Sequence, residues 1–262
     1  FREHVKKFLV KFAKTRKERH FMNIYENHDI EKLLCGNPYV GRGIVAGKSE
    51  DGKKAYFVYF IMGRSENSRN RIFVKRGEDV EINAFDPSKL SDSSLIIYYP
   101  VRVLDRNVIV TNGDQTDTVY NFLKDGKSFE EALETREFEP DAPNFTPRIS
   151  ALLNFDKEFT YKMSILKSAD SNGSACVRET FSYPSLCGTG HFLHTYICDG
   201  NPIPTFCGEP ERISICGDIN SFAQKTWNAL DKDNKISLCA RSIDIETLET
   251  ETIIINKNTE VR

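Results

Sequence analysis

The sequence has no long apolar run, no excess of one charge and no low-complexity tract. No hydrophobic stretch approaches the roughly 20 residues that a helix needs to cross a bilayer, which argues against a helical membrane protein. The formal net charge is −2, so the basic surplus that would neutralise nucleic-acid phosphates is missing. Because no Pro/Gly-rich linker or internal repeat divides the chain, a single globular domain is expected.

The chain also lacks the paired cysteine pattern of a secreted, disulfide-stabilised protein. It has seven cysteines, an odd number, and they are scattered through a long sequence. Such usage is typical of reduced thiols in a cytosol rather than of a disulfide framework. We therefore expect a cytoplasmic location.

The first residues form a basic, partly amphipathic stretch, "FREHVKKFLVKFAKTRKERH". Its apolar core is too short for a secretory signal. A basic amphipathic helix can lie on a membrane, but such a segment is more often solvated, and no membrane partner is expected. Met22 is a plausible natural start. We expect residues 1–21 to be a basic extension outside the core, and residues 22–262 to form one domain.

From Tyr39 onward the pattern is rich in strands. "YVGRGIVAG" and "AYFVYFIM" flank "KSEDGKK", which predicts a hairpin with Asp-Gly at its tip. Helical spacing in "TDTVYNFLKDG", "KSFEEALETREF" and "DINSFAQKTWNAL" predicts three helices, the second capped by Ser128. The fold indicated is α+β, with helices packed on sheets. Further strands are predicted at "RIFVKR", "DVEIN", "SLIIYYPVRVL", "NVIVTNG", "ALLNFD", "FTYKMSILKS", "ACVRETFSY", "FLHTYIC", "KISLCARSIDI" and "ETETIIIN".

Two stretches resemble a phosphate-binding loop and a zinc site, but their spacing and geometry argue against both. "GRGIVAGKS" lacks the P-loop glycine five residues before Gly47, where the chain has Arg42, and a strand follows it instead of a helix. A Cys/His cluster has zinc-like spacing, but residues three apart on a strand point to opposite faces and cannot share one ion. No metal site is expected. The cluster consists of Cys187, His191, His194 and Cys198.

Four stretches carry residues that could form a site, each with a structural alternative. "GRSENSRNR" is either a solvated turn or an arginine cradle for an anion. "SLIIYYPVRV" places Tyr98 and Arg102 on one strand face, as core or as a site wall. "VIVTNGDQTDTVY" is a turn and helix cap, or presents helix N–H groups to a ligand. "REFEPDAPNFTPRIS" is a solvated loop, or a loop that brings a carboxylate to a cleft.

Taken in order, these stretches resemble the archaeal-type inosine monophosphate (IMP) cyclohydrolase family, particularly its longer bacterial members. The resemblance covers roughly residues 38–155, and "GNPIPTFCGEP" is similar to the long-form relatives. It implies an N-terminal-nucleophile-hydrolase-like αββα sandwich, in which two mainly antiparallel sheets lie between helix layers. The family closes the last purine ring, converting 5-formamidoimidazole-4-carboxamide ribotide to IMP and water. Neither a metal nor a cofactor is implied.

The resemblance also assigns residues. The family's catalytic arginine, tyrosine and glutamate fall on Arg69, Tyr98 and Glu139. The chain departs from the family pattern at Gln115, where a histidine is usual, and at Phe145, an extra residue before "TPR". The substrate's 5′-phosphate is expected to meet arginines, because a planar guanidinium binds two oxygens at once. The expected substrate-binding residues are Arg64, Arg71, Arg102, Asn112, Asp117 and Arg148.

Two alternatives stay open at the level of sequence. Processing before Cys35 would expose an N-terminal thiol nucleophile, giving an amidohydrolase on the same fold. The chain could instead bind a purine ribotide without turning it over. Its partner is expected to be this small molecule and not a nucleic acid, and self-association into a homo-oligomer is left open.

Overall fold

Two antiparallel sheets form the body of the computed structural model, which describes residues 23, 25–89 and 97–259. Strands and helices are numbered in chain order within this described part. The strands are β1 (Arg42–Lys48), β2 (Lys54–Met62), β3 (Arg71–Arg76), β4 (Asp79–Ala84), β5 (Val101–Leu104), β6 (Asn107–Thr111), β7 (Arg148–Asn154), β8 (Thr160–Ser168), β9 (Cys176–Pro184), β10 (Thr189–His194), β11 (Glu211–Ser214), β12 (Lys235–Asp244) and β13 (Thr250–Asn256). The helices are α1 (Ile30–Leu34), α2 (Glu66–Arg69), α3 (Gln115–Lys124), α4 (Phe129–Glu134) and α5 (Ile219–Ala229), with 3₁₀ turns at Pro87–Lys89 and Lys257–Thr259.

The sheets have different strand orders. The first sheet runs β11-β10-β1-β2-β12-β13, and the second runs β3-β4-β5-β6-β7-β8-β9. The second sheet is thus close to a sequential meander, whereas β1 of the first sheet pairs with β10 from the far end of the chain. As a result, the beginning of β1 lies beside residues that follow β10.

The two sheets pack face to face, and the alternating side chains of β2 illustrate this packing. Because side chains alternate along a strand, Phe57 and Tyr59 enter the core between the sheets, while Val58 and Phe60 face the other way. The outer face of the first sheet is covered by α1 and α5, which bury residues such as Trp227. The outer face of the second sheet is covered by α3 and α4. The described residues therefore form helix, sheet, sheet and helix layers in an α+β protein.

Several predicted elements are confirmed. The hairpin of β1 and β2 pairs from Arg42 with Ile61 to Lys48 with Ala55, across a turn that contains Asp51 and Gly52. The three predicted helices are α3, α4 and α5. Ser128 caps α4 as expected, and Glu131 completes the capping box by accepting from the Ser128 backbone N–H. The three longest helical patterns were thus read correctly.

Other elements differ from the sequence prediction. The strand predicted over residues 94–104 is confirmed at Val101–Leu104 and wrong at residues 97–100, because β5 begins only after Pro100, which has no N–H to donate. Residues 94–96, like the predicted extension 1–21, lie outside the described residues. The strand predicted over residues 192–198 lies earlier, at β10, where Gly190 pairs with Gly47. These facing glycines allow the two backbones to approach, but glycine weakens a strand pattern in sequence.

The short elements α1, α2 and β11 were not predicted. Each has only four or five residues, too few for a periodic pattern to be read. In the part of the chain that the structure describes, no helix has the length and apolar character needed to cross a membrane.

Candidate active site

A cavity of about 360 Å³ opens at one end of the sandwich, where β1 begins and β2 ends. Its walls come from four parts of the chain. Tyr39 and Arg42 lie at the start of β1, residues 64–68 follow β2, Glu139 and Thr146 lie on the loop before β7, and Tyr196 follows β10. The cavity volume is in the range of small-molecule sites, which is about 300–1,000 Å³.

Arg42 and Glu139 are the charged centre of this cavity. Their exposed fractions are 9% and 4%, and Nε of Arg42 is buried without a hydrogen-bond partner among the described residues. The two groups interact electrostatically but form no ion pair within 4.0 Å. Burial raises the pKa of Glu139, although Arg42 and Arg148 oppose the shift. The carboxyl group is therefore held closer to its protonated form than a solvated glutamate.

Arg71 supplies a second buried guanidinium. It is fully buried because it lies on the same face of β3 as the core residue Phe73. Its Nε donates to the Ser68 carbonyl at 2.8 Å, while both Nη atoms lack a hydrogen-bond partner among the described residues. Burial and the like charge of Arg42 lower the pKa of Arg71. Two cations held together with unpaired nitrogens favour an anionic or carbonyl-bearing ligand.

Tyr98 lies beside these cations, with an exposed fraction of 7%. Its hydroxyl is 2.8 Å from the hydroxyl of Tyr59, across the interface between the two sheets. Burial raises the pKa of Tyr98, whereas Arg42 and Arg71 act to lower it. Neither Tyr98 nor Arg71 lines the cavity directly, so they form a second layer next to Arg42 and Glu139.

The loop that carries Glu139 is anchored by side chains. The Glu139 N–H donates to the Thr146 carbonyl at 2.9 Å. Asp141 accepts from the Thr146 backbone N–H at 2.6 Å, and the Thr146 hydroxyl is 2.6 Å from that of Tyr196. Phe145 has φ +43°, a left-handed conformation that fits its reading as an extra residue in this loop. The glutamate is thereby fixed relative to the wall formed by Tyr196.

Arg69 does not reach the cavity. Its side chain is exposed on α2, with Nε donating to the Gly63 carbonyl at 3.1 Å and Nη2 donating to Asn234 Oδ1 at 3.2 Å. Arg64 does line the cavity and stands at its rim. Its Nη1 donates to Asp199 Oδ1 at 2.6 Å. Of the three arginines in "GRSENSRNR", one is therefore at the rim, one is buried beside the site and one faces away.

Arg148 and Asn112 do not line the cavity, and they lie next to the end of the loop that carries Glu139. Arg148 Nη1 donates to Gln115 Oε1 at 2.7 Å and is 2.7 Å from Asp114 Oδ1. Asn112 Oδ1 accepts from the Ile149 N–H at 2.8 Å, and its Nδ2 donates to the Pro147 carbonyl at 2.9 Å. Gln115, which replaces the family's usual histidine, therefore orients Arg148.

Arg102 and Asp117 are bonded to each other and do not line the cavity. Their Nη1 and Oδ1 atoms are 2.8 Å apart, and the Arg102 guanidinium lies 3.5 Å from the ring centroid of Tyr120. Tyr98 and Arg102 were expected to share a strand face, but only Tyr98 lies beside the buried charges.

Sequence reasoning missed Arg42, Tyr39 and Tyr196 as site residues. Arg42 was noted only as the residue that breaks the P-loop pattern. Tyr39 and Tyr196 stack with ring centroids 5.9 Å apart, a contact between distant segments that no local pattern indicates. A signal for Arg42 was present, since a charged residue opens a strand whose next five residues are apolar or small.

The Cys/His cluster is divided as the strand argument predicts. His191 Nδ1 is 2.7 Å from the Tyr161 hydroxyl in the core between the sheets, whereas His194 packs against Phe192 on the outer face. Among the described residues, no group of three or more His, Cys, Asp or Glu side chains is arranged to hold a metal ion. Cys35 is exposed at the C-terminal end of α1 and does not line the cavity.

The sequence is similar to that of known proteins over most of the described chain. The family described as IMP cyclohydrolase-like protein matches residues 39–247, which extends well beyond the motifs between residues 38 and 155. An IMP cyclohydrolase of Methanopyrus kandleri is 37% identical over 118 residues, covering 44% of this chain and 58% of that protein. One from Methanococcus aeolicus is 29% identical over 164 residues, covering 61% of this chain and 75% of that protein.

A third relative, from Methanocaldococcus jannaschii, is 32% identical over 120 residues, which is 44% of this chain and 57% of the relative. The chain thus spans under two thirds of the Methanopyrus and Methanocaldococcus proteins, while the family match takes in every wall of the cavity from Tyr39 to Tyr196. The chain belongs to the IMP cyclohydrolase-like protein family.

Proposed function

We propose that this chain is an IMP cyclohydrolase that closes 5-formamidoimidazole-4-carboxamide ribotide to IMP and water in the cytoplasm. The observation that carries the proposal is the buried pair of Arg42 and Glu139 facing one small-molecule cavity. The family match and the relatives' names support the same reaction. The four layers described above are consistent with an N-terminal-nucleophile-hydrolase-like αββα fold, which we propose for the chain.

The reaction needs orientation and proton transfer more than bond activation by an outside reagent. The substrate's carboxamide nitrogen attacks its own formyl carbon, and both groups are on one imidazole ring. A group must take a proton from nitrogen, another must stabilise the formyl oxygen, and a proton must later reach the departing hydroxide. These steps need neither electron transfer nor nucleotide hydrolysis.

We assign proton transfer to Glu139, because it is buried in the cavity wall with a raised pKa. The oxyanion is assigned to Arg42, whose Nε is unpaired there, supported by Arg71 from the second layer. A hydrogen bond to the formyl oxygen is assigned to Tyr98. Tyr98 lies in the second layer, so this assignment requires the formyl group to pass between Arg42 and Glu139, where its oxygen would accept a hydrogen bond from the Tyr98 hydroxyl. The geometry favours Arg42 and Arg71 over Arg69 for the arginine role that the family resemblance implies.

The 5′-phosphate is proposed to lie at the rim of the cavity. Arg64 is the lining arginine that solvent can reach, and Ser65 and Ser68 beside it offer hydroxyls. Arg102 and Arg148 are less suited, because Asp117 and Asp114 already occupy them. A phosphate at Arg64 would compete with the exposed Asp199 for the guanidinium.

No structural observation favours the amidohydrolase alternative. Cys35 would have to become the first residue of β1, but it lies at the end of α1 and outside the cavity wall. The alternative in which the chain binds a purine ribotide without turnover uses the same cavity. An assay that measures both turnover and IMP binding distinguishes it from catalysis.

The test is the ultraviolet spectrum of the ribotide mixed with purified, chelator-treated protein. We expect growth of the hypoxanthine band without added metal, and growth slowed by about 10²- to 10⁴-fold with Glu139→Gln. A flat trace from folded protein that still binds IMP would replace the proposal with a binding function. A flat trace without IMP binding would contradict both.

Thr146→Val is expected to lower kcat/KM by about tenfold, because it removes the hydroxyl that ties the Glu139 loop to Asp141 and Tyr196. The measurement is the same spectroscopic assay at subsaturating ribotide. Thr135→Val is the control, since its hydroxyl bonds only the Ala132 carbonyl at the end of α4. Equal losses in both variants would show that loop anchoring is not the cause.

A further inference from the structure

A pair of buried tyrosine hydroxyls lies beside the site, and the roles assigned above use only one of them. Tyr59 comes from β2 of the first sheet and is fully buried, whereas Tyr98 precedes β5 in the second sheet. Their hydroxyl oxygens are 2.8 Å apart. The bond therefore crosses from one sheet to the other at the inner edge of the proposed site.

Burial favours one direction of this bond. Each hydroxyl has the other as its hydrogen-bond partner, and neither has a further partner among the described residues, so one of the two protons needs an acceptor elsewhere. Tyr59 is fully buried and its ring stacks on Phe73 with centroids 5.6 Å apart, whereas Tyr98 is 7% exposed. A ligand can therefore reach the Tyr98 proton more readily, and an unpaired proton is more unfavourable at Tyr59. This favours Tyr59 as the donor and Tyr98 as the acceptor, with the Tyr98 proton left for the ligand.

The charges around the pair favour the same arrangement. Arg42, Arg71 and the bond from Tyr59 act to lower the pKa of Tyr98 against the effect of burial. Burial and the bond to Tyr98 raise the pKa of Tyr59 well above its ordinary value, although the same two arginines act to lower it. Because the bond acts in opposite directions on the two groups, Tyr98 gives up its proton more readily than Tyr59.

We propose that Tyr59 is a positioning residue that donates to Tyr98 and so directs the Tyr98 proton toward the ligand. This inference rests on the proposed function. When the carboxamide nitrogen bonds to the formyl carbon, the carbonyl electron pair moves to oxygen, which takes the Tyr98 proton. The proton lost by nitrogen goes to Glu139 and then returns to the Tyr98 oxygen, which Tyr59, Arg42 and Arg71 stabilise meanwhile.

Tyr59→Phe removes the donor without changing the ring. We expect kcat to fall by about tenfold with KM little changed, and the alkaline limb of the pH profile to move to higher pH. In a Tyr98→Phe background, the same change should have no further effect on kcat, because Tyr59 acts through Tyr98. Tyr161→Phe is the matched control: its hydroxyl is equally buried between the sheets but bonds His191.

A second readout does not depend on turnover. In protein labelled with ¹³C at tyrosine Cζ, the Tyr98 signal is identified by its loss in Tyr98→Phe. It should shift in Tyr59→Phe and stay unchanged in Tyr161→Phe. Tyr98→Phe should also lower the urea midpoint more than Tyr59→Phe, since it takes the acceptor from the fully buried Tyr59 proton, whereas the 7% exposed Tyr98 directs its proton to the site in either case.

The two proposals can fail separately. Wild-type protein without cyclisation, but with the Cζ shift and the larger midpoint loss in Tyr98→Phe, would contradict the proposed function while the bond and its direction stand. An active wild type with an unshifted Tyr98 signal, or an equal kcat loss in Tyr59→Phe and Tyr161→Phe, would overturn the role of Tyr59. A larger midpoint loss in Tyr59→Phe would reverse the direction of the bond.

Discussion

Glu139→Gln is expected to lower kcat for ribotide cyclisation by about 10²- to 10⁴-fold, the usual contribution of a positioned acid or base. Glutamine keeps the size and polarity of the side chain but cannot accept the proton that leaves the carboxamide nitrogen. Because Glu139 makes no ion pair within 4.0 Å, the substitution should leave the fold intact. The measurement is single-turnover absorbance, which separates the chemical step from product release.

Glu137→Gln is the matched control for this loop. Glu137 is exposed, and its nearest cation, Nη2 of Arg178, is 3.7 Å away. Its substitution should change kcat by less than about twofold, in line with a surface charge. If Glu139→Gln kept near-normal turnover, or if both variants lost activity equally, Glu139 would not be the proton-transfer group.

The pH dependence follows from the same residue. Burial raises the pKa of Glu139 above 4.5, so the base form required for proton removal appears only at correspondingly higher pH. Activity of the wild type should therefore rise with pH through this raised pKa, and the limb should disappear in Glu139→Gln. A limb that persists in the variant would belong to another group.

The contribution of Glu139 to the free energy of unfolding should fall with pH over the range in which activity rises. A carboxyl whose pKa is higher in the folded than in the unfolded state contributes stability below the unfolded pKa and loses it as pH rises through the folded pKa. The wild type should therefore lose stability relative to Glu139→Gln over that interval, starting near pH 4.5. Urea unfolding of both proteins across this range would measure the difference.

The sheets and long helices could be predicted because their signals are local. In β2, eight apolar or aromatic residues follow one another between turn residues, and in α5 the buried positions recur at helical spacing. Glu139 and Tyr98 were also named from the family's short motifs, and the structure places Glu139 in the cavity wall and Tyr98 beside it, while their roles stay predictions. Local patterns thus account for the secondary structure that was predicted correctly.

It was harder to predict which arginine lies beside the site, because this depends on the conformation of a short helical turn. The helix α2 has four residues, and it ends so that Arg69 turns toward Asn234 while Arg71 opens β3. Once β3 begins, alternation places Arg71 on the face of Phe73, which points into the core. No periodicity can be read from four residues, so the sequence could not distinguish Arg69 from Arg71.

Arg42 illustrates a second limit on predicting site residues from sequence. Its position in the site depends on β1 pairing with β10, which lies about 150 residues away, and on the loop that presents Glu139. Contacts between distant segments are set by the whole sheet order and not by neighbouring residues. Such a residue becomes recognisable only when the strands are assembled.

Arg42→Met is expected to lower kcat/KM by about 10²- to 10³-fold, the cost of removing one donor from a developing oxyanion. Arg42→Lys keeps the charge but loses the planar fork, so it should restore only part of the activity. The assay is steady-state cyclisation of the ribotide with each variant, followed by the increase in hypoxanthine absorbance.

The Arg69→Met variant tests which arginine is catalytic: Arg42, which the structure favours, or Arg69, which the family motif implies. Arg69 bonds Gly63 and Asn234 on the outside of the cavity, so its loss should change kcat/KM by less than about threefold, as for other exposed side chains. Unfolding by urea would confirm that each variant is folded. A large loss in Arg69→Met with a mild one in Arg42→Met would return the catalytic role to Arg69, and would mean that α2 rearranges when substrate binds.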